Sequence, residues 1–264
     1  MTQIWIPIVI FAVLSTAMGL ILAIASRVLA VKQDERIEQV QEHLPGANCG
    51  GCGYAGCSAM AEAIVRGDAK LDGCAACSDE AREQIAAIMG IEAGKKVRMV
   101  AKVLCAGTTA CAKHRFDYSA VTDCHSAEVM AGGDKECAAG CIGLGSCAAK
   151  CVFGAISVHD DVAVVDREKC RGCGVCVAEC PKKIIRLIPY DAPYFVQCST
   201  PNKGKTVTAV CTAGCIGCRM CTKVCEAEAI HMEGDMAVID YEKCTGCGAC
   251  AEKCSRKVIR MQTK

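Results

Sequence analysis

The chain has 264 residues, of which 26 are cysteines and only ten are aromatic. So few aromatic side chains do not build a core of ordinary composition, and order is therefore expected from disulfides, structural metal or iron–sulfur clusters. The formal net charge of +1 excludes the strongly basic surface that is typical of proteins that bind nucleic acid.

An uncharged run of 23 residues occupies positions 4–26. As a helix that rises 1.5 Å per residue, this run is long enough to cross a hydrocarbon core of about 30 Å. A cleaved signal peptide is the alternative, but it needs a basic segment before a shorter apolar run. The basic residues Arg27, Lys32 and Arg36 follow the run instead. The positive-inside rule therefore predicts a single-pass protein of the cell membrane, in contact with lipid, whose soluble part lies on the cytoplasmic face.

The cytoplasmic location also decides how the cysteines are interpreted. Thiols stay reduced in the cytoplasm, so metal or cluster ligation is favoured over a disulfide framework. Residues 32–43 are mostly charged or polar, and they are predicted to form a helical stalk that leads into the soluble part.

A first cysteine motif follows this stalk, with the spacing C-x2-C-x4-C-x16-C at Cys49, Cys52, Cys57 and Cys74. A helix over 57–66 would begin at Cys57, and its N-terminus would favour a negatively charged cluster. Residues 51–56 also match the dinucleotide fingerprint G-x-G-x-x-G, but the fingerprint needs a preceding strand, and a Pro-Gly turn precedes it here. The motif therefore predicts one cluster, with Cys77 as a competitor of Cys74 for the fourth position.

An internal repeat of 74 residues dominates the rest of the chain. Each of nine cysteines has a partner 74 residues later, and the intervening text also agrees. The first set is Cys124, Cys137, Cys141, Cys147, Cys151, Cys170, Cys173, Cys176 and Cys180. The second set is Cys198, Cys211, Cys215, Cys221, Cys225, Cys244, Cys247, Cys250 and Cys254. A duplicated module is the interpretation, each copy having two cysteine runs joined by a short hairpin.

Both runs of the second copy read C-x2-C-x2-C-x3-C, the bacterial ferredoxin pattern, in which the fourth cysteine ligates the other cluster. This rule assigns Cys215, Cys218, Cys221 and Cys254 to one cluster. It assigns Cys225, Cys244, Cys247 and Cys250 to the other.

The first copy departs from the pattern at one position. One predicted cluster is complete, with Cys151, Cys170, Cys173 and Cys176. The other retains Cys141, Cys147 and Cys180, but Leu144 stands where the second copy has Cys218. Cys137 is the nearest replacement, and a three-iron cluster or an empty site is the alternative.

The cysteines Cys105, Cys111, Cys124, Cys198 and Cys211 remain unassigned. They are candidates for a sixth cluster that would bridge the two copies, or else buried small hydrophobic residues. Zinc is the alternative metal, but cysteine triplets with a remote fourth cysteine favour a cubane. No P-loop, catalytic triad, nicotinamide site or flavin site is recognisable, so no catalytic residue is predicted.

These motifs predict an α+β protein with a transmembrane helix, a small iron–sulfur module and two tandem ferredoxin-like units, carrying five [4Fe-4S] clusters and candidates for a sixth. The predicted bounds are 1–31 for the anchor, 32–92 for the module, 93–123 for a connecting segment, and 124–197 and 198–264 for the two units.

The anchor, the Cys49–Cys74 motif and the repeat together resemble the B component of the Rnf electron-transport complex, in its long form. The resemblance implies an electron-transfer subunit of an oxidoreductase that couples electron flow between reduced ferredoxin and NAD to sodium or proton movement. It implies soluble ferredoxin and the other complex subunits as partners. Leu144 departs from the pattern, as do Val152, Glu226 and Ser255, which stand where proline usually follows the fourth cysteine. A membrane-anchored polyferredoxin subunit of another reductase or hydrogenase is the alternative function.

Overall fold

The computed structural model describes residues 2–28, 34–94, 96–118 and 120–262. The first element is the apolar helix α1, Thr2–Val28. Its stretch Ile8–Arg27 is long and apolar enough to cross a membrane, by length and composition. Lys32, the start of the predicted stalk and the predicted boundary between residues 31 and 32 lie outside the described residues.

Three short helices form a module after the stalk: α2 (Glu35–His43), α3 (Cys57–Arg66) and α4 (Asp79–Met89), with a 3-10 turn before α4 at Leu71–Gly73. Helix α3 begins at Cys57 and ends at residue 66, as the sequence predicts. The apolar faces of the three helices meet in a core that contains Val40, Met60, Ile64, Ile85 and also Cys74. Burial of these aliphatic side chains stabilises the module.

The rest of the chain combines short strands with short helices. In chain order these are β1 (Met99–Val103), α5 (Cys124–Ala131), α6 (Ser146–Ala149), β2 (Ile156–His159), β3 (Val162–Val165), α7 (Val175–Glu179), β4 (Ile185–Pro189), β5 (Tyr194–Val196), α8 (Gly204–Val210), α9 (Met220–Lys223), β6 (Ile230–Glu233), β7 (Met236–Ile239), α10 (Ala249–Lys253) and β8 (Ile259–Met261).

Several elements recur at the 74-residue offset of the cysteines. The antiparallel hairpin β2–β3 has its counterpart in the hairpin β6–β7. Helices α6 and α7 likewise have counterparts in α9 and α10. The hairpins that the repeat predicts between the cysteine runs are therefore present in both copies.

Two further strand pairs cross the predicted boundaries. Strand β1 lies in the predicted connecting segment 93–123, yet it pairs antiparallel with β4, placing Met99 opposite Pro189. Strand β5 lies before the predicted boundary at residue 198, yet it pairs with β8, placing Tyr194 opposite Met261. In each copy, the strand that follows the second cysteine run therefore pairs with a strand that precedes both runs. This pairing satisfies the backbone hydrogen-bonding groups of the two strands.

Cysteines make up much of the buried core. Around strands β1 and β4, Val100, Ile184 and Ile185 are buried together with Cys141, Cys147, Cys170 and Cys176. A second cluster of buried side chains includes Val258, Ile259 and Cys198 and packs against Cys215 and Cys254. The scarcity of aromatic residues is consistent with this arrangement, because aliphatic side chains and thiols fill the interior instead.

Candidate iron–sulfur cluster sites

Four cavities are each lined by the four cysteines of one site, and the cavity around Cys49 is also lined by Cys173. In two further sets, four cysteines are close neighbours of one another. We number these six groups as sites 1 to 6, in the order in which they adjoin one another. The same set of four thiols in each site indicates the same kind of occupant.

Site 1 consists of Cys49, Cys52, Cys57 and Cys74, the four cysteines of the first motif. The Cys57 N–H donates to Asn48 Oδ1 at 2.8 Å, which holds the start of α3 against the cysteine loop. Cys77 does not line the cavity. Burial, followed by the charge of Cys74, raises the pKa of the Cys77 thiol to about 11, so it is an unreactive thiol at neutral pH.

Site 2 consists of Cys151, Cys170, Cys173 and Cys176. Burial raises the pKa of Cys176 to about 12, and the three other thiols are among the neighbours that raise it further. Cys151 comes from the first cysteine run and the others from the second, so the structure brings together the crossed set that the sequence predicts.

Sites 5 and 6 lie in the second copy. Site 5 is the cavity lined by Cys215, Cys218, Cys221 and Cys254. In site 6, burial raises the pKa of Cys250, and Cys225, Cys244 and Cys247 are the neighbouring thiols that add to it. Both groupings are those that the crossed ferredoxin pattern predicts.

Site 3 differs from the sequence prediction. Its cavity is lined by Cys141, Cys147 and Cys180, and the fourth cysteine is Cys124 rather than Cys137. Helix α5 begins at Cys124, and Asp123 caps it by accepting from the Ser126 N–H. The Cys124 N–H donates to Ser146 Oγ at 2.8 Å, which fixes the start of α5 next to Cys147.

Site 4 contains Cys137 and lies between the two copies. Its cavity is lined by Cys105, Cys137, Cys198 and Cys211. Cys105 follows strand β1, Cys198 follows strand β5 and Cys211 follows helix α8. Of the five unassigned cysteines, Cys105, Cys198 and Cys211 therefore meet here, Cys124 lines site 3, and Cys111 lines none of the cavities described.

The chemistry of the thiols fits a polynuclear iron cluster. Burial raises the pKa of Cys147 to about 12 and those of Cys198 and Cys221 to about 11. Such thiols become thiolates only when a positively charged centre compensates their charge, so cluster insertion would release protons and be coupled to folding. Ligation by four thiolates is how [4Fe-4S] clusters are held in proteins.

Backbone N–H groups point at several of the sulfurs. The N–H groups of Ala101, Ala155 and Ala229 lie 3.4, 3.4 and 3.3 Å from the Sγ atoms of Cys170, Cys151 and Cys225. Hydrogen bonds of this kind stabilise thiolate charge and help to set the reduction potential of an iron–sulfur cluster.

A site for a single metal ion is a different arrangement. Within residues 2–28, 34–94, 96–118 and 120–262, no group of three or more His, Cys, Asp or Glu side chains is arranged to hold one metal ion. The cysteines of sites 1, 3, 4 and 5 instead surround cavities.

The six sites adjoin one another in series. Cys173 of site 2 has Cys49 of site 1 as a neighbour, and Cys176 of site 2 has Cys147 of site 3. The Cys141 N–H of site 3 lies 3.4 Å from Cys105 Sγ of site 4. The equivalent N–H of the second copy, that of Cys215 in site 5, lies 3.3 Å from Cys198 Sγ of site 4. Helices α9 and α10, which carry cysteines of sites 5 and 6, pack against each other.

Glycine is required where sites 1 and 2 meet. A β-carbon on Gly51 would overlap the carbonyl oxygen of Cys173 and lie 3.2 Å from its Cβ. The replacement Gly51→Ala is therefore expected to force the module away from the first copy and to lower the free energy of unfolding by about 1–3 kcal/mol. The temperature at which cluster absorbance is lost should fall in this variant. Gly94→Ala is the control, because a β-carbon there has no heavy atom within 4 Å; an equal loss of thermal stability in both variants would contradict the packing argument.

Profiles of known protein families match three parts of the chain. The descriptions are "Putative Fe-S cluster" for residues 44–76, "4Fe-4S binding domain" for residues 163–186 and "4Fe-4S dicluster domain" for residues 214–259. The first match contains all of site 1, and the last contains all of sites 5 and 6. The chain therefore binds [4Fe-4S] clusters.

Three curated relatives cover most of the chain, and each is the B component of its complex. The one from the Na(+)-translocating ferredoxin:NAD(+) oxidoreductase complex of Acetobacterium woodii is 43% identical over 92% of this chain and 73% of its own length. The one from the ion-translocating oxidoreductase complex of Methanosarcina acetivorans is 41% identical over 89% and 90%. The one from the proton-translocating ferredoxin:NAD(+) oxidoreductase complex of Clostridium ljungdahlii is 34% identical over 88% and 83%. The chain belongs to the family of iron–sulfur B components of ion-translocating oxidoreductase (Rnf) complexes.

Proposed function

We propose that the chain is a linear relay of six [4Fe-4S] clusters that accepts electrons from reduced ferredoxin and passes them to the membrane subunits of the complex. The proposed ligands are the four cysteines of each site. Cys49, Cys52, Cys57 and Cys74 serve site 1; Cys151, Cys170, Cys173 and Cys176 site 2; Cys124, Cys141, Cys147 and Cys180 site 3; Cys105, Cys137, Cys198 and Cys211 site 4; Cys215, Cys218, Cys221 and Cys254 site 5; and Cys225, Cys244, Cys247 and Cys250 site 6.

The observation that carries this proposal is the series of contacts between neighbouring sites. Site 4 supports it most directly, because backbone N–H groups of sites 3 and 5 lie at 3.4 and 3.3 Å from two of its sulfurs. One-electron transfer is the chemistry that such clusters supply when bound. The chain's own residues hold the sites next to one another, bury nine of the thiols and donate N–H groups to the sulfurs.

Exposure supports a direction for the relay. All 26 cysteines lie in the described part of the chain, and Cys218 and Cys247, of sites 5 and 6, are the two that are exposed. We therefore place the contact with ferredoxin at the second copy, where a protein surface can approach a cluster. Site 1 lies closest along the chain to helix α1 and would deliver electrons to the other subunits, which would carry the NAD and flavin sites.

The membrane placement follows from helix α1. Its large apolar side chains, among them Trp5, Phe11 and Leu20, are exposed, and a surface of this kind is stable in lipid or against other membrane helices. We propose that α1 crosses the cell membrane once and that the basic residues after it hold the soluble part on the cytoplasmic face.

We propose the same two tandem ferredoxin-like units as the sequence predicts, but with bounds that follow the pairing of the strands. The proposed bounds of the anchor (1–31) and the module (32–92) are those taken from the sequence. Strand β1, in the segment 93–123, belongs with the first unit because it pairs with β4. Strand β5 belongs with the second unit because it pairs with β8, although it lies within 124–197.

Metal analysis tests the number of clusters. The full chain, purified without oxygen, should contain about 24 iron atoms and as many sulfide ions, because six sites would each hold four. The reduced protein should give the EPR signals of interacting [4Fe-4S] clusters. Protein that is colourless, or that contains mainly zinc, would contradict the proposal, and about 20 iron atoms would leave one of the six sites without a cluster.

A further inference from the structure

Lys135 is a buried lysine between sites 3 and 4. It is 3% exposed, and it lines the cavity of site 4. Its Nζ donates to the carbonyl oxygen of Cys141, a residue of site 3, at 2.7 Å. It also donates to the carbonyl oxygen of Asp161 at 2.6 Å. One side chain thus contacts the residues of two neighbouring sites.

In the part of the chain that the structure describes, no carboxylate forms an ion pair with this lysine. Among the described residues, the ion pairs do not include Lys135, whereas Lys182, another lysine beside site 3, pairs with Glu128 at 2.6 Å. An isolated ammonium is costly to bury, and the cost is offset only where negative charge lies close by. Four-thiolate iron clusters supply negative charge, and sites 3 and 4 are the nearest places where it would arise.

The second copy has no equivalent of this lysine. The position 74 residues later is Ala209, and the carbonyl oxygen of Asp235, the counterpart of Asp161, lies 3.9 Å from Cys215 Sγ of site 5. The first copy therefore has a buried ammonium beside the run that follows Cys137, where the second copy has an alanine. The second copy has a cation at another position, the half-buried Arg256, which donates to the carbonyl oxygens of Cys211 and Gly214 at 2.7 and 3.3 Å.

We propose that Lys135 raises the reduction potentials of sites 3 and 4, in the middle of the relay, above the values that these sites would have without its charge. The inference rests on the proposed function, because it requires clusters at both sites. Its physical basis is that net charge and hydrogen bonding around a cluster set the potential. An uncompensated positive charge at low exposure favours the reduced, more negative state.

The test is an anaerobic redox titration of the full chain, followed by EPR, for Lys135→Met. The midpoint potentials of about one-third of the reducible centres, those of sites 3 and 4, should fall by at least about 59 mV. For a one-electron couple this is a tenfold decrease in the equilibrium constant for reduction. Lys113→Met is the matched control, because Lys113 lies on the neighbouring segment, where its carbonyl accepts from the Glu136 N–H, but its side chain is exposed. Solvent screens a charge in that position.

Two further variants keep the test decisive. Lys135→Arg keeps the charge and should retain potentials close to those of the wild type. Lys135→Gln removes the charge but keeps an N–H donor, and it replaces Lys135→Met in the titration if that variant does not retain its iron. Unchanged potentials in an iron-replete Lys135→Met or Lys135→Gln variant would overturn the proposed role of Lys135, as would an equal shift in Lys113→Met. Neither result would affect the proposed function. A wild-type chain without iron would overturn the proposed function itself.

Discussion

Replacing Cys49 and Cys52 with serine is expected to lower NAD reduction by the assembled complex to the background rate, while sites 2 to 6 still take up electrons. Both side chains line site 1, and loss of two of four thiolate ligands removes the cluster. Site 1 is the end of the relay closest along the chain to the membrane helix, so electrons would reach site 2 and stop there. Stopped-flow absorbance with reduced ferredoxin measures the loading of the sites, and NADH formation measures the transfer.

The control for this experiment is Cys77→Ser. Cys77 lies in the same module but does not line the site 1 cavity, so NAD reduction should remain at the wild-type rate. NAD reduction that continues in the Cys49→Ser/Cys52→Ser variant would show that electrons leave the relay elsewhere and would refute the proposed order.

Replacing Cys198 with alanine is expected to divide the relay in two. Cys198 lines site 4, and the backbone of site 5 contacts its sulfur. Without a cluster at site 4, electrons that enter at sites 5 and 6 should not reach sites 1 to 3, and NAD reduction should fall to background. The iron content should fall by up to about four atoms per chain. Iron analysis and stopped-flow spectroscopy of the full chain check both results.

Three single replacements distinguish the ligand sets of sites 3 and 4. Cys137→Ser should remove the same EPR signal as Cys198→Ala, because both residues line site 4. Cys124→Ser should remove a different signal, that of site 3. Cys111→Ser should leave both signals intact, because Cys111 lines neither cavity. If Cys124→Ser and Cys198→Ala removed the same signal, the assignment of Cys124 to site 3 would be wrong.

The cavities give cluster assembly a consistent physical explanation. Burial raises the pKa of several thiols of the sites, and neighbouring thiols raise it further, as at Cys147 and Cys176. Before a cluster is inserted, these thiols would therefore be neutral and poor ligands. Iron must displace these protons, so the metal and the fold stabilise each other, as in other small metal-binding domains.

The sequence by itself predicted the class of protein, its cofactor and the grouping of the cysteines of sites 1, 2, 5 and 6. Cysteine spacing is local chemistry: a C-x2-C-x2-C run can wrap one face of a cubane in only a few ways, so sites 2, 5 and 6 follow from the ferredoxin pattern. The motif of site 1 is equally local, and the start of α3 at Cys57 followed from it. The 74-residue register also placed both hairpins, because the duplicated segments have similar apolar patterns.

Only the tertiary structure decided the membership of sites 3 and 4. The register pairs Cys124 with Cys198 and so suggests equal roles, yet Cys124 lines site 3 and Cys198 lines site 4. In the second copy Cys218 lines the cavity of site 5, and Cys198 lines that of site 4. In the first copy Leu144 takes that position, and α5, fixed by the contact of Cys124 with Ser146, supplies the missing thiol. The cysteines of site 4 come from segments as far apart as residues 105 and 211. Strand pairing and helix packing bring these segments together, and the spacing of cysteines along the chain carries no information about such contacts.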